Sequence, residues 1–157
     1  MIIFPGRYTA RPEKPLILFL IAMRINRFRA VSKWWPVAQA MAPMLRELSQ
    51  RPDSGFFWYR TYMSGRVILL QQYWESFDKL LAYAQDKQAS HFPAWVEYNK
   101  RIGHADGTVG VWHESYVVEA GKSECIYTNM PRFGLAAATN HVKAEGRLAS
   151  AKDRMAP

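Results

Sequence analysis

The residue best suited to proton transfer in this sequence is His113, which lies in a segment rich in valine. Residues 109–118 alternate as a strand, and His113 shares one face of it with Val109, Val111 and Ser115. We expect an imidazole among valines to be buried, and burial favours the neutral form that serves as a base near pH 7. The alternative is a structural histidine whose ring nitrogens are hydrogen-bonded within the core.

Two polar residues at the end of an apolar strand are candidates for anion stabilisation. Arg24 and Asn26 alternate onto one face of the predicted strand 16–25. A guanidinium and an amide placed there could hold the enolate formed when an aromatic phenol is oxygenated. A charge at this position is also common as the solvated end of a strand.

Aromatic residues supply candidates for binding an apolar substrate. Six tryptophans are present, and most are expected in the core, although such rings can also line a flat apolar pocket. The substrate-binding candidates are Trp58, Trp95, Trp112, Tyr116 and His91. His91 lies near the end of the second predicted helix, where the alternative role is a hydrogen bond to free helix carbonyls.

Several kinds of site are disfavoured by spacing. The four histidines, at 91, 104, 113 and 141, show no i,i+4 pair, so no metal site built from protein ligands is predicted. Glycine-rich phosphate loops are missing from the sequence. The single cysteine, Cys125, excludes an intrachain disulfide, and its apolar neighbours favour an inert thiol.

Composition indicates one globular domain. The chain has 157 residues, of which 49% are hydrophobic, and its longest apolar run is too short to span a membrane. The first residues do not resemble a signal peptide, so we expect a cytoplasmic protein without a membrane partner. The net charge of +8 is concentrated in residues 1–33 and 132–157. Nucleic-acid binding is disfavoured, because a basic stripe on a folded face is not evident. The basic cluster is instead expected to belong to a solvated connection between two elements, and it consists of Arg24, Arg27, Arg29 and Lys33.

The chain divides into three parts. Residues 1–13 contain Pro5, Gly6 and Pro12 and predict an irregular arm, and residues 135–157 predict a flexible tail. Between them, residues 14–134 carry the periodic segments of the domain. Strands are predicted at 16–25, 56–62, 67–74 and 109–118.

Two helices are predicted between these strands. Ser32 and Ser76 are the expected N-caps. Pro43 is expected to kink or break the first helix, and Pro93 to interrupt the second. The resulting order, β-α-β-β-α-β, is that of the α+β ferredoxin-like fold, which has a four-stranded antiparallel sheet and both helices on one face.

The opposite face of this sheet also carries large apolar residues. One chain of this length does not obviously supply a second layer to cover them. A second copy packed sheet on sheet is the simplest cover, which predicts a homodimer.

Several segments resemble a family of unknown function in the dimeric α/β-barrel superfamily, whose members are often labelled monooxygenase-like. The segments are Met23-Arg24-Ile25-Asn26, Arg46-Glu47-Leu48, Gly55-Phe56-Phe57-Trp58-Tyr59-Arg60-Thr61, Gln72-Tyr73-Trp74-Glu75-Ser76-Phe77, His91-Phe92-Pro93-Ala94-Trp95, Val111-Trp112-His113-Glu114-Ser115-Tyr116 and Tyr127-Thr128-Asn129-Met130-Pro131-Arg132-Phe133-Gly134. More distantly, the chain is similar in architecture to antibiotic-biosynthesis monooxygenases and haem-dependent aldoxime dehydratases.

The resemblance implies an oxidoreductase of secondary metabolism that oxygenates an apolar aromatic small molecule without a cofactor. In that hypothesis His113 is the base, and Arg24 and Asn26 stabilise the anion. A second hypothesis, also implied by the superfamily, is a lyase or oxygenase that binds haem b through His91 or His113. A third is a module that binds a small ligand without catalysis.

Overall fold

The structure, a computed structural model, describes residues 2–103 and 105–155. The strands of this part are β1 (Phe4–Thr9), β2 (Leu16–Ile25), β3 (Phe56–Ser64), β4 (Val67–Trp74), β5 (Val109–Val118), β6 (Tyr127–Met130) and β7 (Val142–Lys143). The helices are α1 (Val31–Ser49), α2 (Phe77–Gln85), α3 (His91–Arg101), α4 (Leu135–Ala138) and α5 (Ala151–Arg154). Short 3-10 turns lie at Pro52–Ser54 and Gly146–Leu148.

Four strands form the main sheet in the order β3-β4-β2-β5, and every neighbouring pair is antiparallel. This is the strand order of the ferredoxin-like fold, so the predicted fold class is confirmed. The limits of β2, β4 and β5 are those predicted from the sequence, whereas β3 continues two residues beyond Tyr62. Gly65, at φ +53°, makes the predicted turn between β3 and β4.

The helices α1, α2 and α3 cover one face of this sheet. The odd-numbered residues of β2 point toward them, and the buried side chains on this side come from sheet and helices together: Ile17, Met23, Ile25, Leu48, Trp74, Leu80 and Ile102. Among the described helices, none combines the length and the hydropathy needed to cross a membrane.

The helices differ from their prediction at Ser32 and at Pro93. The helix α1 begins at Val31 with Ala30 as N-cap, so Ser32 is not the cap. Pro43 does not break α1, and the carbonyl that loses its partner there belongs to Gln39, an exposed residue where water can replace the bond. Pro93 does not interrupt a helix but lies in the first turn of α3, where no intrahelical N–H bond is required. Ser76 caps α2 as predicted, since its hydroxyl accepts a hydrogen bond from the backbone N–H of Lys79 at 3.2 Å.

The N-terminal arm is not irregular, contrary to the prediction. Its strand β1 lies between β6 and β7 in a second, three-stranded antiparallel sheet. The register shifts between Phe4 and Arg7, where Pro5 and Gly6 interrupt regular pairing. The two ends of the domain therefore fold together.

This second sheet and α4 cover one end of the main sheet on the side away from the long helices. Ala10, Leu135 and Ala136 pack there against Leu16 and Tyr73 of the main sheet. The rest of that side remains uncovered in the single chain. We call the side of the main sheet that faces away from α1, α2 and α3 the open face.

Candidate functional site

Three rows of side chains cross the open face, one residue from each strand. Strand pairing gives these rows in the order β3, β4, β2, β5: Trp58, Tyr73, Leu18, Tyr116; then Arg60, Gln71, Leu20, Glu114; then Tyr62, Leu69, Ala22, Trp112. Directly opposite residues of antiparallel strands project to the same side, which places all twelve on one face. The centre is apolar, and polar groups flank it on both sides.

A hydrogen-bonded chain forms the polar flank on β3 and β4. The hydroxyl of Tyr62 donates to Gln71 Oε1 at 2.8 Å, and Gln71 Nε2 donates to the hydroxyl of Tyr73 at 3.2 Å. Burial raises the pKa of both tyrosines. Both phenols therefore stay protonated at neutral pH and act as hydrogen-bonding groups rather than as bases.

Phe133 covers part of this flank from the segment between β6 and α4. Its ring lies 5.1 Å from that of Trp58 and 6.5 Å from that of Tyr62, both in edge-on geometry. The guanidinium of Arg60 lies over the same ring at 5.7 Å. The C-terminal segment thus builds an aromatic wall at one end of the open face.

The other flank, on β5, carries a carboxylate. The hydroxyl of Tyr116 donates to Glu114 Oε2 at 2.6 Å, and this bond raises the pKa of Tyr116. Within residues 2–103 and 105–155, the second oxygen of Glu114 accepts no hydrogen bond. Trp112 and Tyr116 remain 39% and 49% exposed, so this flank is accessible from solvent.

Arg24 and Asn26 lie together at the far end of the open face. The guanidinium of Arg24 donates to the side-chain oxygen of Asn26, and Asn26 Nδ2 donates to the carbonyl of Gly107 at 3.0 Å. Both side chains lie next to Gly110 of β5. The sequence prediction that these two residues share a face is confirmed.

His113 is not buried, contrary to the prediction. It pairs with Ile21, which places it on the helix side of the sheet, and it is exposed because β5 is an edge strand rather than a central one. Its ring lies 5.8 Å from that of Phe19. His113 on β5 and Arg24 on β2 project from opposite faces of the sheet, because side chains alternate between the faces along each strand. A single chain therefore does not bring these two residues together.

His91 and Trp95 also lie away from the open face, on α3. His91 Nε2 donates to the carbonyl of Ala84 at 2.7 Å, across the break between α2 and α3. This fixes the proton on Nε2 and corresponds to the helix-terminal role that the sequence left open. Trp95 is 60% exposed and contacts Phe92.

Two shallow grooves follow the outer edge of β3 beneath α1. Their volumes are about 360 and 520 Å³, and Tyr59 and Ser49 line both. Trp58 contributes to the smaller groove only. Neither groove is lined by a carboxylate or a histidine, so neither brings together groups suited to acid–base chemistry.

Metal ligands do not cluster in the part of the chain that the structure describes. No group of three or more His, Cys, Asp or Glu side chains there could hold an ion. The polar groups of the open face that sequence reasoning missed are Tyr62, Gln71, Tyr73, Arg60 and Glu114. The alternation of β3 and β5 contained the signal for three of them, because Arg60 and Tyr62 share their parity with Trp58, and Glu114 shares its parity with Trp112. No residue of β4 had been singled out, so Gln71 and Tyr73 had no such signal.

Comparison with known proteins agrees with this architecture. Residues 16–135 match the sequence profile of a family described as monooxygenase af470-like. No curated protein sequence is similar enough to count as a match. Among solved structures, the aldoxime dehydratase OxdRE in complex with butyraldoxime superposes with a TM-score of 0.62 at 17% identity. That match covers 80% of this chain and 37% of the dehydratase, and it concerns the fold.

Two smaller proteins have weaker likeness. SnoaB, a cofactor-independent oxygenase from Streptomyces nogalater, has a TM-score of 0.46 at 10% identity, over 66% of this chain and 93% of SnoaB. A protein of unknown function from Bacteroides thetaiotaomicron, described as a possible oxidoreductase, has a TM-score of 0.45 at 15% identity, over 69% of this chain and 100% of its own.

Proposed function

Because this chain belongs to the monooxygenase af470-like family, we propose that it is an oxidoreductase that oxygenates an apolar, aromatic small molecule on the open face. The observation that carries this proposal is the composition of that face. An apolar centre, of Leu20, Ala22 and Leu69, lies between protonated phenols on one side and a carboxylate on the other. An apolar surface with a few convergent polar groups is typical of small-molecule sites.

Each group has a distinct proposed role. Trp58 and Trp112, from the two edge strands, hold the substrate rings. Glu114 accepts a proton, since its free oxygen faces the same side as these rings and Tyr116 fixes its other oxygen. Arg24 and Asn26 stabilise the resulting anion through the N–H groups that their mutual hydrogen bond leaves available.

The proposed reaction converts a ring-activated methylene group into a carbonyl. Removal of one proton gives a carbanion, which transfers its electrons to O₂ and forms a carbon–oxygen bond. One oxygen atom stays on the substrate as the carbonyl, and the other leaves as water with the two hydrogens of the methylene. The methylene carbon loses four electrons, and O₂ accepts all four as it becomes the carbonyl oxygen and water, so the proposed reaction balances without a flavin or a metal.

A second copy of the chain completes the site in this proposal. The open face exposes Tyr62, Trp112 and Tyr116 to solvent in the single chain. Packing against the same face of a partner would exclude water, which strengthens the charge interactions around a developing anion. This is the homodimer that the sequence predicts.

Haem binding through His91 does not fit the structure. Its Nε2, the usual axial nitrogen, already donates to Ala84. Its Nδ1 is enclosed by protein and has no hydrogen-bond partner among the described residues. Neither ring nitrogen of His91 is therefore available to bind haem iron in this arrangement.

Oxygen consumption with a panel of electron-rich phenols and ring-activated methylene compounds tests the proposal. For a substrate that wild type turns over, Glu114→Gln should lower kcat by about 10²–10⁴-fold, the usual contribution of a positioned general base. Arg24→Gln should lower it by about 10²–10³-fold, as for other donors to a developing oxyanion.

His113→Ala is the matched control, because His113 neighbours Glu114 on the same strand but faces the helices. It should retain wild-type turnover. Loss of turnover in His113→Ala with full activity in Glu114→Gln would move the site to the helix side and refute the proposal. Circular dichroism establishes that each variant is folded.

A further inference from the structure

Six residues at one end of the main sheet form what we call the basic–aromatic patch: Arg27, Phe28, Arg29, Val31, Trp35 and Arg66. We propose that this patch attaches the protein reversibly to the surface of anionic lipid bilayers. The patch lies in the connection between β2 and α1, in the first turns of α1, and in the turn between β3 and β4. The proposal is independent of the chemistry assigned to the open face.

The apolar members of the patch are exposed without an evident structural reason. Phe28, Val31 and Trp35 are 47%, 51% and 50% exposed. Val31 and Trp35 are four residues apart on α1 and therefore project from the same side of the helix. Half-exposed aromatic and aliphatic side chains next to cations are typical of surfaces that enter the headgroup region of a bilayer.

The charge around the patch is strongly positive. The sequence has no acidic residue between Glu13 and Glu47, nor between Asp53 and Glu75, and these two stretches contain the whole patch. Asp106 approaches from the loop before β5, but Lys33 neutralises it in an ion pair. Arg27, Arg29 and Arg66 are exposed, so anionic headgroups can reach all three.

Hydrogen bonds hold the patch in place. The backbone N–H of Arg27 donates to the carbonyl of Thr108 at 3.3 Å, and Trp34 Nε1 donates to the carbonyl of Phe28 at 3.0 Å. Arg66 Nη1 donates to the carbonyl of Asn26 at 2.8 Å, which links the turn to the loop. A surface that is already ordered loses less conformational entropy on binding.

The geometry favours lipid over nucleic acid as the partner. Single strands bind by stacking bases on exposed aromatic faces. One face of Phe28 is already covered by the guanidinium of Arg66, 4.8 Å from the ring centre. Val31 offers no stacking surface, whereas all three apolar side chains can be buried among acyl chains and headgroups.

The test is sedimentation of the purified full-length protein with vesicles. One preparation contains phosphatidylcholine and phosphatidylglycerol in equal amounts, and the other contains phosphatidylcholine alone. We expect binding to the anionic vesicles at low salt, loss of binding at high salt, and little binding to phosphatidylcholine. Arg27→Gln combined with Arg29→Gln should weaken partitioning by about tenfold or more, from the usual contribution of each basic residue near such a surface.

Two further variants separate the patch from net charge. Phe28→Ser combined with Trp35→Ser should weaken binding although the charge is unchanged. Arg147→Gln combined with Lys152→Gln removes two charges from the exposed C-terminal segment and should leave binding near wild type. Absence of binding to anionic vesicles would overturn the proposal. So would equal losses in the Arg147/Lys152 and Arg27/Arg29 variants, or a single-stranded oligonucleotide that occupies the patch and is not displaced by vesicles.

Discussion

The two faces of the main sheet differ in what their side chains are able to do. On the helix face, Trp74 is 1% exposed and lies among Leu48, Leu80 and Ile17. On the open face, Trp112 is 39% exposed and its row ends in the hydroxyl of Tyr62. One face stabilises the fold by excluding water, and the other keeps polar groups available at an apolar surface.

Neighbouring residues of one strand show how sharp this difference is. Gln71 and Gln72 are adjacent on β4 and point to opposite faces. Gln72 is buried and serves one structural bond, accepting from Trp74 Nε1 at 2.9 Å. Gln71 links two phenols whose raised pKa values keep them protonated. The same side chain is therefore structural on one face and part of a candidate site on the other.

Replacing one tryptophan on each face should give the largest contrast in stability. Trp74→Ala removes a buried ring that contacts Phe56 at 5.1 Å and Tyr83 at 5.8 Å between ring centres. We expect the free energy of unfolding to fall by about 3–5 kcal/mol, because a cavity remains among side chains that cannot collapse fully. Urea denaturation followed by circular dichroism measures this change.

Trp112→Ala is the matched variant on the open face. It should cost less than about 1 kcal/mol at low protein concentration, as surface substitutions usually do. A larger cost that appears only at high concentration would report loss of the proposed dimer, because association stabilises the folded chain by mass action. Equal losses for both variants at low concentration would refute the contrast between the faces.

The strands of the main sheet could be predicted because their signals are local. Apolar runs in β2 and β4 and the alternation in β5 end at charged or turn residues, which set the limits of these three strands. The strand β1 gave no such signal, since Pro5 and Gly6 interrupt it and its partner β6 lies more than a hundred residues away. Pairing of distant segments is decided by tertiary packing, which a single sequence does not display.

The second contrast uses the adjacent glutamines. Gln72→Leu leaves the indole N–H of Trp74 without a partner inside the protein, and we expect a loss of about 1–3 kcal/mol in the free energy of unfolding. Gln71→Leu breaks one hydrogen bond at the exposed Tyr62 and one at the buried Tyr73, and because Gln71 itself is only half-buried it should cost less than Gln72→Leu, about 1 kcal/mol. Urea denaturation of the two variants under identical conditions compares them.

The activity of these variants should show the reverse order. In the proposed function, Gln71→Leu lowers turnover because Tyr62 and Tyr73 lose the hydrogen bonds that fix their orientation. The folded fraction of the Gln72→Leu protein should keep wild-type turnover. A Gln72→Leu protein that is less active per folded molecule than Gln71→Leu would contradict the placement of the site on the open face.

The candidate site was only partly predictable for a related reason. Alternation shows which residues of one strand share a face, and it correctly grouped Arg24 with Asn26 and Trp112 with Tyr116. Alternation alone does not show which strand is at the edge of the sheet; the predicted ferredoxin-like order does place the strand 109–118 there, and the expectation that His113 is buried overlooked it. Alternation also does not show the register between neighbouring strands. The register decides that Glu114 lies on the same face as Arg24 and that His113 lies on the other face.

The smallest expected effect concerns a phenol on the helix side. Burial, together with the smaller effects of the nearby charges of Glu47 and Asp86, raises the pKa of Tyr83 to about 12, against the opposing effect of Arg51. The hydroxyl is buried and has no hydrogen-bond partner among the described residues. Tyr83→Phe should therefore be neutral or slightly stabilising at neutral pH, since it removes a polar group that the protein does not satisfy.

At alkaline pH the two proteins should diverge. Below the pKa of an unfolded tyrosine, near 10, the phenol is neutral in both the folded and the unfolded chain, so its titration does not change the free energy of unfolding. Between 10 and about 12 the unfolded chain releases this proton while the folded chain keeps it, so the wild-type free energy of unfolding falls. The Phe variant lacks this loss, and its advantage in urea midpoint should grow across that interval. If the urea midpoints of the two proteins change in parallel with pH, the hydroxyl of Tyr83 is accessible to water in solution. The helix face would then exclude water less completely at Tyr83 than the contrast with the open face requires.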